Sequence, residues 1–272
     1  MAIVGGSYVG IELACNLATW LRRDQLAIDL VHRDSGVLGG GADFNREVAE
    51  RRLREAGVTL HLDTSVERVE PSELSLRPAA AQSEPYGLPS DLIVWAAGSR
   101  PSSLAMELGL PTDDAGRVRV DSSLRVRGRD ALWSLGDVAE IADATGAAPP
   151  STASAAMQQA DYVAWNVRAA IRGAPPVEFR YAALGEVLSL GGAGADASAS
   201  VSALGGIKLE GPLASASRRA LYAARMPTAT QAARVGVSWL VEGALGAVRE
   251  LARRAEARTE AARPDGAVPK KR

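Results

Sequence analysis

Four small residues near the start of the chain, Gly5, Gly6, Ser7 and Gly10, follow the short apolar segment Ala2–Val4 and lead into a helical stretch, "IVGGSYVGIELA". A strand running through glycines at this spacing into a helix has a definite chemical use. The first glycine makes the turn, the second lets backbone approach a pyrophosphate, and the third lets the helix pack on the strand. Phosphate then sits on the free N–H groups at the helix start. Ser7 stands in the second glycine slot. Its Cβ intrudes where bare backbone is preferred, while its hydroxyl can donate to a phosphate oxygen. The expectation is a dinucleotide site that is weakened, not lost. The competing reading is a Gly-rich strand-to-helix turn without a ligand, since the pattern alone is a weak signal.

Such a site reads the ribose at the end of the second strand, where an acid holds a 2′-hydroxyl and an arginine accommodates a 2′-phosphate. Here "LAIDLVHRD" ends in His32, Arg33 and Asp34. The acid comes late, so the sequence leans towards NADPH without excluding NADH. Arg33 as an ordinary solvated turn residue is the alternative. Glu12 is open to two readings, a partner of the helix dipole or a functional acid. Cys15, the only cysteine, excludes an internal disulfide and a redox-active cysteine pair within these residues. With no cation close in sequence, it reads as a small buried apolar residue. The only histidines are His32 and His61, so no histidine base lies beyond residue 61, and nothing has metal-ligand spacing.

A second group lies further along. Gly136 and Asp137 are expected at the carboxyl end of a strand over 131–135, where ligands bind in open α/β sheets. An ionised aspartate there can accept hydrogen bonds from sugar-alcohol hydroxyls; capping the next short helix or turn is its alternative use. Gln158 and Gln159 interrupt a long helix, "PPSTASAAMQQADYVAWNVRAAIRG", in which Ala156, Ala160, Val163 and Val167 recur at helical spacing. Adjacent glutamines on such a helix fit either a surface or a site.

The elements that must position these groups are legible in outline. "ADFNREVAERRLREAG" reads as an amphipathic helix with Asp43 to cap it and Gly57 to stop it. "VTLHLD" is a strand, "SVERVE" and "SELSLR" form a hairpin at Pro71, and a loop rich in Ala, Pro and Ser leads to the apolar strand "LIVWAAG". This is βαβαβ with a small antiparallel insert. "VEFRYAALGEVLSLG" alternates like strands around Gly185, and two helices broken at Pro227 follow. In these, Leu213, Leu221, Val235 and Trp239 can face a bilayer while Arg218, Arg219, Arg225 and Arg234 meet lipid phosphates. Ordinary helices packed on the body are the alternative. The ending "RPDGAVPKKR" is expected to be a disordered basic tail.

Composition narrows the classes. In 272 residues, 31 basic and 32 acidic side chains give a net charge of -1, which argues against a general nucleic-acid binder. Hydrophobic content of 47% with aromatics at only 4% describes a globular chain whose core is lean in rings. There is no uninterrupted run of 18 apolar residues and no basic lead at the start, so membrane contact is expected to be peripheral and no targeting segment is read here.

Taken in order, these blocks resemble the type II NAD(P)H:quinone dehydrogenases, most closely their plastid-type branch in plants and algae. The likeness covers nearly the whole chain. It rests on the glycine turn with Glu12 in "VGIELA", on "VWAAGSRP", "LWSLGD" and "TASAAMQQADYVAWN", and on "FRYAALGEVLSLG" followed by "LEGPLASASRRALYAARMPT" and "VGVSWL". The last two pieces are the most specific, since disulfide reductases share the first three blocks but not that C-terminal region.

The resemblance implies an α/β fold in four parts. These are a Rossmann-like NAD(P)H-binding domain over 1–100, the C-terminal portion of a split FAD-binding domain over 101–172, a small α+β quinone and membrane region over 173–255, and the tail over 256–272. It implies that an N-terminal FAD half-domain should precede this chain, which is then a fragment. Gly5, Gly6, Ser7 and Gly10 would cradle the NAD(P)H pyrophosphate, and Gly98 would let backbone approach the nicotinamide. Asp137, after Gly136, would hold the FAD ribitol. Gln158 and Gln159 match the quinone helix of the family, although Ser154 replaces its first glutamine. The implied reaction passes hydride from NAD(P)H to FAD and then reduces a membrane quinone, with Glu12 as a route for protons. Implied partners are the quinone, a membrane surface and a second copy of the chain, in a chloroplast at the thylakoid or plastoglobule. The rivals are a disulfide or ferredoxin reductase of the same two-fold class and a non-enzymatic nucleotide-binding or membrane-associated fragment.

Overall fold

The computed structural model describes residues 1–21, 26–80, 83–192, 198–226 and 228–261. Two compact units emerge, Met1–Ala97 with Leu184–Arg272, and Gly98–Ala183.

The first unit begins with β1 (Ala2–Val4), α1 (Tyr8–Trp20), β2 (Asp29–Val31), α2 (Asp43–Glu55) and β3 (Thr59–His61). β4 (Thr64–Glu70), β5 (Glu73–Pro78) and β6 (Tyr86–Pro89) form an antiparallel sheet, and β7 (Ile93–Trp95) completes a parallel sheet of order β3-β2-β1-β7. Successive side chains of a strand point to opposite faces, and β1 shows what this does. Ile3 joins Ile11, Ala14, Leu30 and Leu53 on the helix side, while Ala2 and Val4 meet Val31, Leu74 and Leu76 on the side of the antiparallel insert. The insert is therefore the second cover that a parallel sheet requires. β6 was hidden in the Ala/Pro/Ser-rich stretch, where it is an edge strand that tolerates Pro89.

Asp43 does not cap α2. Ala42 is the N-cap, and Asp43 is the first helical residue, paired with Arg46 and aligned with the helix dipole. Gly57 lies just past the helix end at φ +74°, as a stop signal should.

The second unit contains α3 (Leu104–Glu107), the short parallel pair β8 (Val118–Arg119) and β9 (Ala139–Glu140), and α4 (Ala153–Ile171). The strand expected over 131–135 is absent. Trp133 makes only an isolated bridge to Arg125, whose guanidinium lies 5.3 Å from the indole ring, and Leu132 stays exposed. An apolar run without a neighbouring strand to pair with has no ladder to join. Thr152 caps α4 by accepting from Ala155 N–H at 3.3 Å. The buried face of α4 is carried by Ala155, Gln159, Asn166 and Ala169, not by the expected stripe, of which Ala160 is exposed. Two of those buried residues are polar, and periodicity of apolar residues passes over them.

The chain then returns to the first unit with β10 (Gly185–Ser189), β11 (Ala199–Ala203), β12 (Ile207–Glu210), α5 (Gly211–Ala224) and α6 (Ala229–Ala261). Only one strand forms near Gly185, and it starts there. Gly185 has φ +124°, and a Cβ on it would lie 2.3 Å from the Ser202 carbonyl oxygen. Where the sequence reading sets residues 173–255 apart, Leu188 and Leu190 share a core with α1 and α2. Glu186 of β10 accepts from Ala42 N–H at 2.8 Å and Asn45 Nδ2 at 3.2 Å, so it caps α2 from a distant part of the chain. Arg52 Nε donates to Leu190 O at 3.1 Å, and the Ser200 hydroxyl to Asn45. Gly191 presses on α1 so closely that a Cβ would be 2.5 Å from the Cys15 carbonyl oxygen. Cys15 beneath it is fully buried, and burial pushes its thiol up to about 12, which makes it inert.

α5 and α6 flank Pro227, which lies outside the described residues. Leu213 and Leu221 are exposed, but Trp239 is half-buried with the Arg219 guanidinium 5.7 Å from its ring, and Val235 is half-buried as well. Val237, Leu240, Val241, Leu245, Val248 and Leu251 are large apolar residues of α6 that stand exposed instead. α6 runs to Ala261, so residues 256–261 of the expected tail are helical; 262–272 lie outside the described residues. No described helix is long and apolar enough to cross a membrane.

Candidate functional site

In the first unit the glycine turn is closed about as tightly as a backbone permits. Gly5, at φ +118°, would place a Cβ 2.4 Å from the Ala96 carbonyl oxygen. Gly10 would place one 1.8 Å from the carbonyl oxygen of Gly5, so the first turn of α1 rests directly on the end of β1. Gly6 is held through both of its backbone polar groups: its N–H donates to His32 Nδ1 at 3.1 Å, and its carbonyl accepts from Leu38 N–H at 2.8 Å. Ser7 is the N-cap of α1, exposed, with extended backbone and no capping hydrogen bond from its side chain. Its hydroxyl and the N-terminal end of the helix face outward together, an arrangement that suits an anion.

Arg33 follows His32 at the end of β2 with its side chain 82% exposed, 3.7 Å from Asp34 Oδ1. Asp34 Oδ2 is 3.2 Å from His32 Nε2. The structure thus brings Gly5, Gly6, Ser7, Gly10 and Arg33 to one end of the parallel sheet, with His32 as the link that the sequence reading did not single out. Its signal was position: a ring at the end of β2 must lie beside the turn that ends β1.

Glu12 sits on α1 with its carboxylate turned to the C-terminal sheet, accepting from Ser189 N–H at 2.8 Å. Burial raises its pKa, against the Ser189 hydrogen bond and the attraction of Arg218. Folding raises this pKa above 4.5, so as pH climbs from there the unfolded chain ionises first and stability falls until the folded carboxyl has ionised too. Glu12→Gln keeps an acceptor for Ser189 N–H and removes the buried charge. Thermal unfolding followed from pH 4.5 to neutrality should show the wild type losing stability over that range and the variant holding level. A variant less stable at pH 7 would mean that pairing with Arg218 outweighs burial.

In the second unit Gly98 has φ +101° with nothing within 4 Å of where a Cβ would stand, so its backbone is open to approach. Gly136 and Asp137 form a 3-10 turn, Gly136–Val138. The Asp137 side chain is exposed and borders a concavity of about 40 Å³ shared with Arg117, Pro150, Thr152 and Gln159. Gln159 is buried, and its Oε1 accepts from Gly136 N–H at 2.7 Å, so one of the two glutamines holds the turn that presents Asp137. Gln158 pairs both ends of its amide with the peptide of Ala182, donating to its carbonyl and accepting from its N–H, each at 3.0 Å. Both amides are therefore engaged by backbone. Asn166, unmentioned in the sequence reading, is the other buried amide of this unit. Among the described residues no group of three or more His, Cys, Asp or Glu side chains is placed to hold a metal ion.

A family model described as pyridine nucleotide-disulphide oxidoreductase matches residues 1–160, more than half of the chain. The chain belongs to that family. The chain is 38% identical over 240 residues to the demethylphylloquinone reductase NdbB of Synechocystis sp., a match covering 88% of this chain and 57% of the relative. It is 33% identical over 261 residues to an alternative NAD(P)H-ubiquinone oxidoreductase of Arabidopsis thaliana, chloroplastic/mitochondrial, covering 91% and 50%. The chain thus spans about half the length of these curated relatives, and it is similar to the type II dehydrogenases as its motifs implied. The structure of NDH2 from Plasmodium falciparum in complex with NADH superposes with a TM-score of 0.74 over 88% of this chain and 64% of that one, at 14% identity, which shows a shared fold. The fold is α/β and Rossmann-like.

Proposed function

We propose that this chain carries the pyridine-nucleotide site of a type II NAD(P)H:quinone oxidoreductase, the reaction being oxidation of NAD(P)H and reduction of a membrane quinone through FAD. The observation that carries the reading is the turn itself: Gly5 and Gly10 admit no Cβ, and the uncapped Ser7 hydroxyl stands at the start of α1. Those residues fit a dinucleotide, with Gly5, Gly6, Ser7 and Gly10 at its pyrophosphate and Arg33 at its ribose.

Bound flavin would supply the hydride-accepting chemistry. Asp137, exposed beside the 3-10 turn, fits the hydroxyls of the flavin's sugar-alcohol chain, and Gly98 leaves open backbone. The small concavity at Asp137 seats only an edge of such a group. The rest of its site would come from a half-domain corresponding to the part of the relatives that this chain does not span. Gln158 and Gln159 serve the quinone side by fixing backbone around α4, and Glu12 holds β10, carries a proton while neutral and releases it on ionising. Leu213, Leu221 and the exposed apolar residues of α6 fit a membrane surface of a chloroplast, thylakoid or plastoglobule, and a second copy of the chain is the remaining partner.

The test is a titration of the purified chain with NADPH and with NADH, followed by quenching of tryptophan emission. Saturable binding is expected, with a Kd in the range from about 1 μM to about 1 mM typical of such substrates. Absence of saturation by either nucleotide would end this reading.

A further inference from the structure

We propose that His32 sets which pyridine dinucleotide the site accepts, by holding the Asp34 carboxylate back from the ribose while it fixes the Gly6 peptide. The inference rests on the dinucleotide reading above and names the residue that decides its substrate.

The imidazole is a bridge between two parts of the site. Gly6 N–H donates to Nδ1, and a Cβ on Gly6 would come within 2.8 Å of the ring's Cγ, so the ring packs directly against the glycine turn. A nitrogen that accepts carries no proton, which assigns the ring proton of neutral His32 to Nε2. Nε2 faces Asp34 Oδ2 at 3.2 Å. The other carboxylate oxygen faces Arg33 Nε at 3.7 Å. Both oxygens of Asp34 thus face a side chain of the same loop.

That engagement changes what the corner can read. A free carboxylate here accepts the 2′-hydroxyl of the ribose and repels a 2′-phosphate. A carboxylate occupied by His32 and partly neutralised by Arg33 does neither well. The exposed guanidinium keeps its terminal nitrogens, a fork that matches phosphate oxygens. Asp34 cannot turn towards the ribose without losing Nε2. The ring cannot follow it, because Nδ1 is tied to the Gly6 N–H and Leu38 N–H holds Gly6 by its carbonyl. The site therefore selects the 2′-phosphorylated dinucleotide.

The experiment compares Kd values for NADPH and NADH in the wild type and two variants. The wild type binds NADPH more tightly, by about tenfold. His32→Asn can still accept from Gly6 N–H but falls short of Asp34; its preference for NADPH drops by about fivefold, with NADH binding kept or improved. His32→Gln reaches Asp34 and not Gly6, so both affinities fall while the preference stays. A merely structural role for the ring would move both nucleotides together in both variants. The proposal is overturned if the preference of His32→Asn stays within about twofold of wild type, or if the wild type prefers NADH; in either case nucleotide binding itself stands. Failure of both nucleotides to bind the wild type overturns it together with the dinucleotide reading.

Discussion

Replacing Gly10 with alanine lowers the stability of the first unit by about 3 kcal/mol or more, or prevents folding. The added Cβ would stand 1.8 Å from the Gly5 carbonyl oxygen, 3.1 Å from its carbon and 3.6 Å from Ile3 Cγ2. None of these can yield cheaply. The Gly5 peptide is tied to Val31 by its N–H at 2.8 Å and is backed by the Ala96 peptide on its other side. Relief therefore requires α1 to lift from β1, which opens the cluster of Ile3, Ile11, Ala14 and Cys15. Gly39→Ala and Gly40→Ala are the controls, because nothing lies within 4 Å of either Cβ position. They should stay within about 0.5 kcal/mol of wild type. Denaturant midpoints compare the three variants; a Gly10 variant as stable as the controls would contradict the packing described here.

Asn166→Leu destabilises the second unit by about 3–5 kcal/mol, the largest effect expected there. The side chain is 0% exposed, and its amide donates to Ser123 O at 2.9 Å and Val177 O at 2.8 Å while its oxygen accepts from Val177 N–H at 2.7 Å. It ties two loop segments to α4 where no strand does so. Leucine fills similar space but leaves the buried Ser123 carbonyl and the partly buried N–H and carbonyl of Val177 without their partner, and the two loop segments lose their tie to α4. Asn166→Asp is the sharper probe. An ionised carboxylate would face two carbonyl oxygens, so the loss persists at neutral pH and is partly recovered on acidification, when the neutral acid can donate to one of them. A loss below about 1 kcal/mol for the leucine variant, read from the denaturation midpoint, would show that these bonds are replaceable.

The parts of this fold legible in the sequence are those whose signal is local. β1, the glycine turn and α1 could be read because a strand, a turn and a helix each keep their own period there. α2 was equally plain, although its cap was not: the acceptor for Ala42 N–H is Glu186, which no local pattern reveals. β6 and β11 are rich in Gly, Ser, Ala and Pro and become strands only because partners lie beside them. The opposite error over 131–135 has the same cause, an apolar run with no ladder to join. Site residues divide in the same way. The glycines of the turn announce themselves by a steric need that only glycine meets. Gln158 and Gln159 were visible as oddities, but their bonds to the peptides of Ala182 and Gly136 depend on the tertiary fold. Asn166 gave no signal, since a buried amide looks like any other polar residue until its neighbours are known.

The sheet of β10, β11 and β12 has a consequence for the order in which the protein is made. A nascent chain that has emerged from the ribosome only as far as Ala97 has both nucleotide-side helices but lacks Glu186, Leu188, Leu190 and Gly191, which fill their outer surface. Residues 98–183 must be synthesised before those four arrive, so the first unit closes last. Until then water and thiol reagents can reach Cys15, and its protection marks the moment at which the two ends of the unit meet.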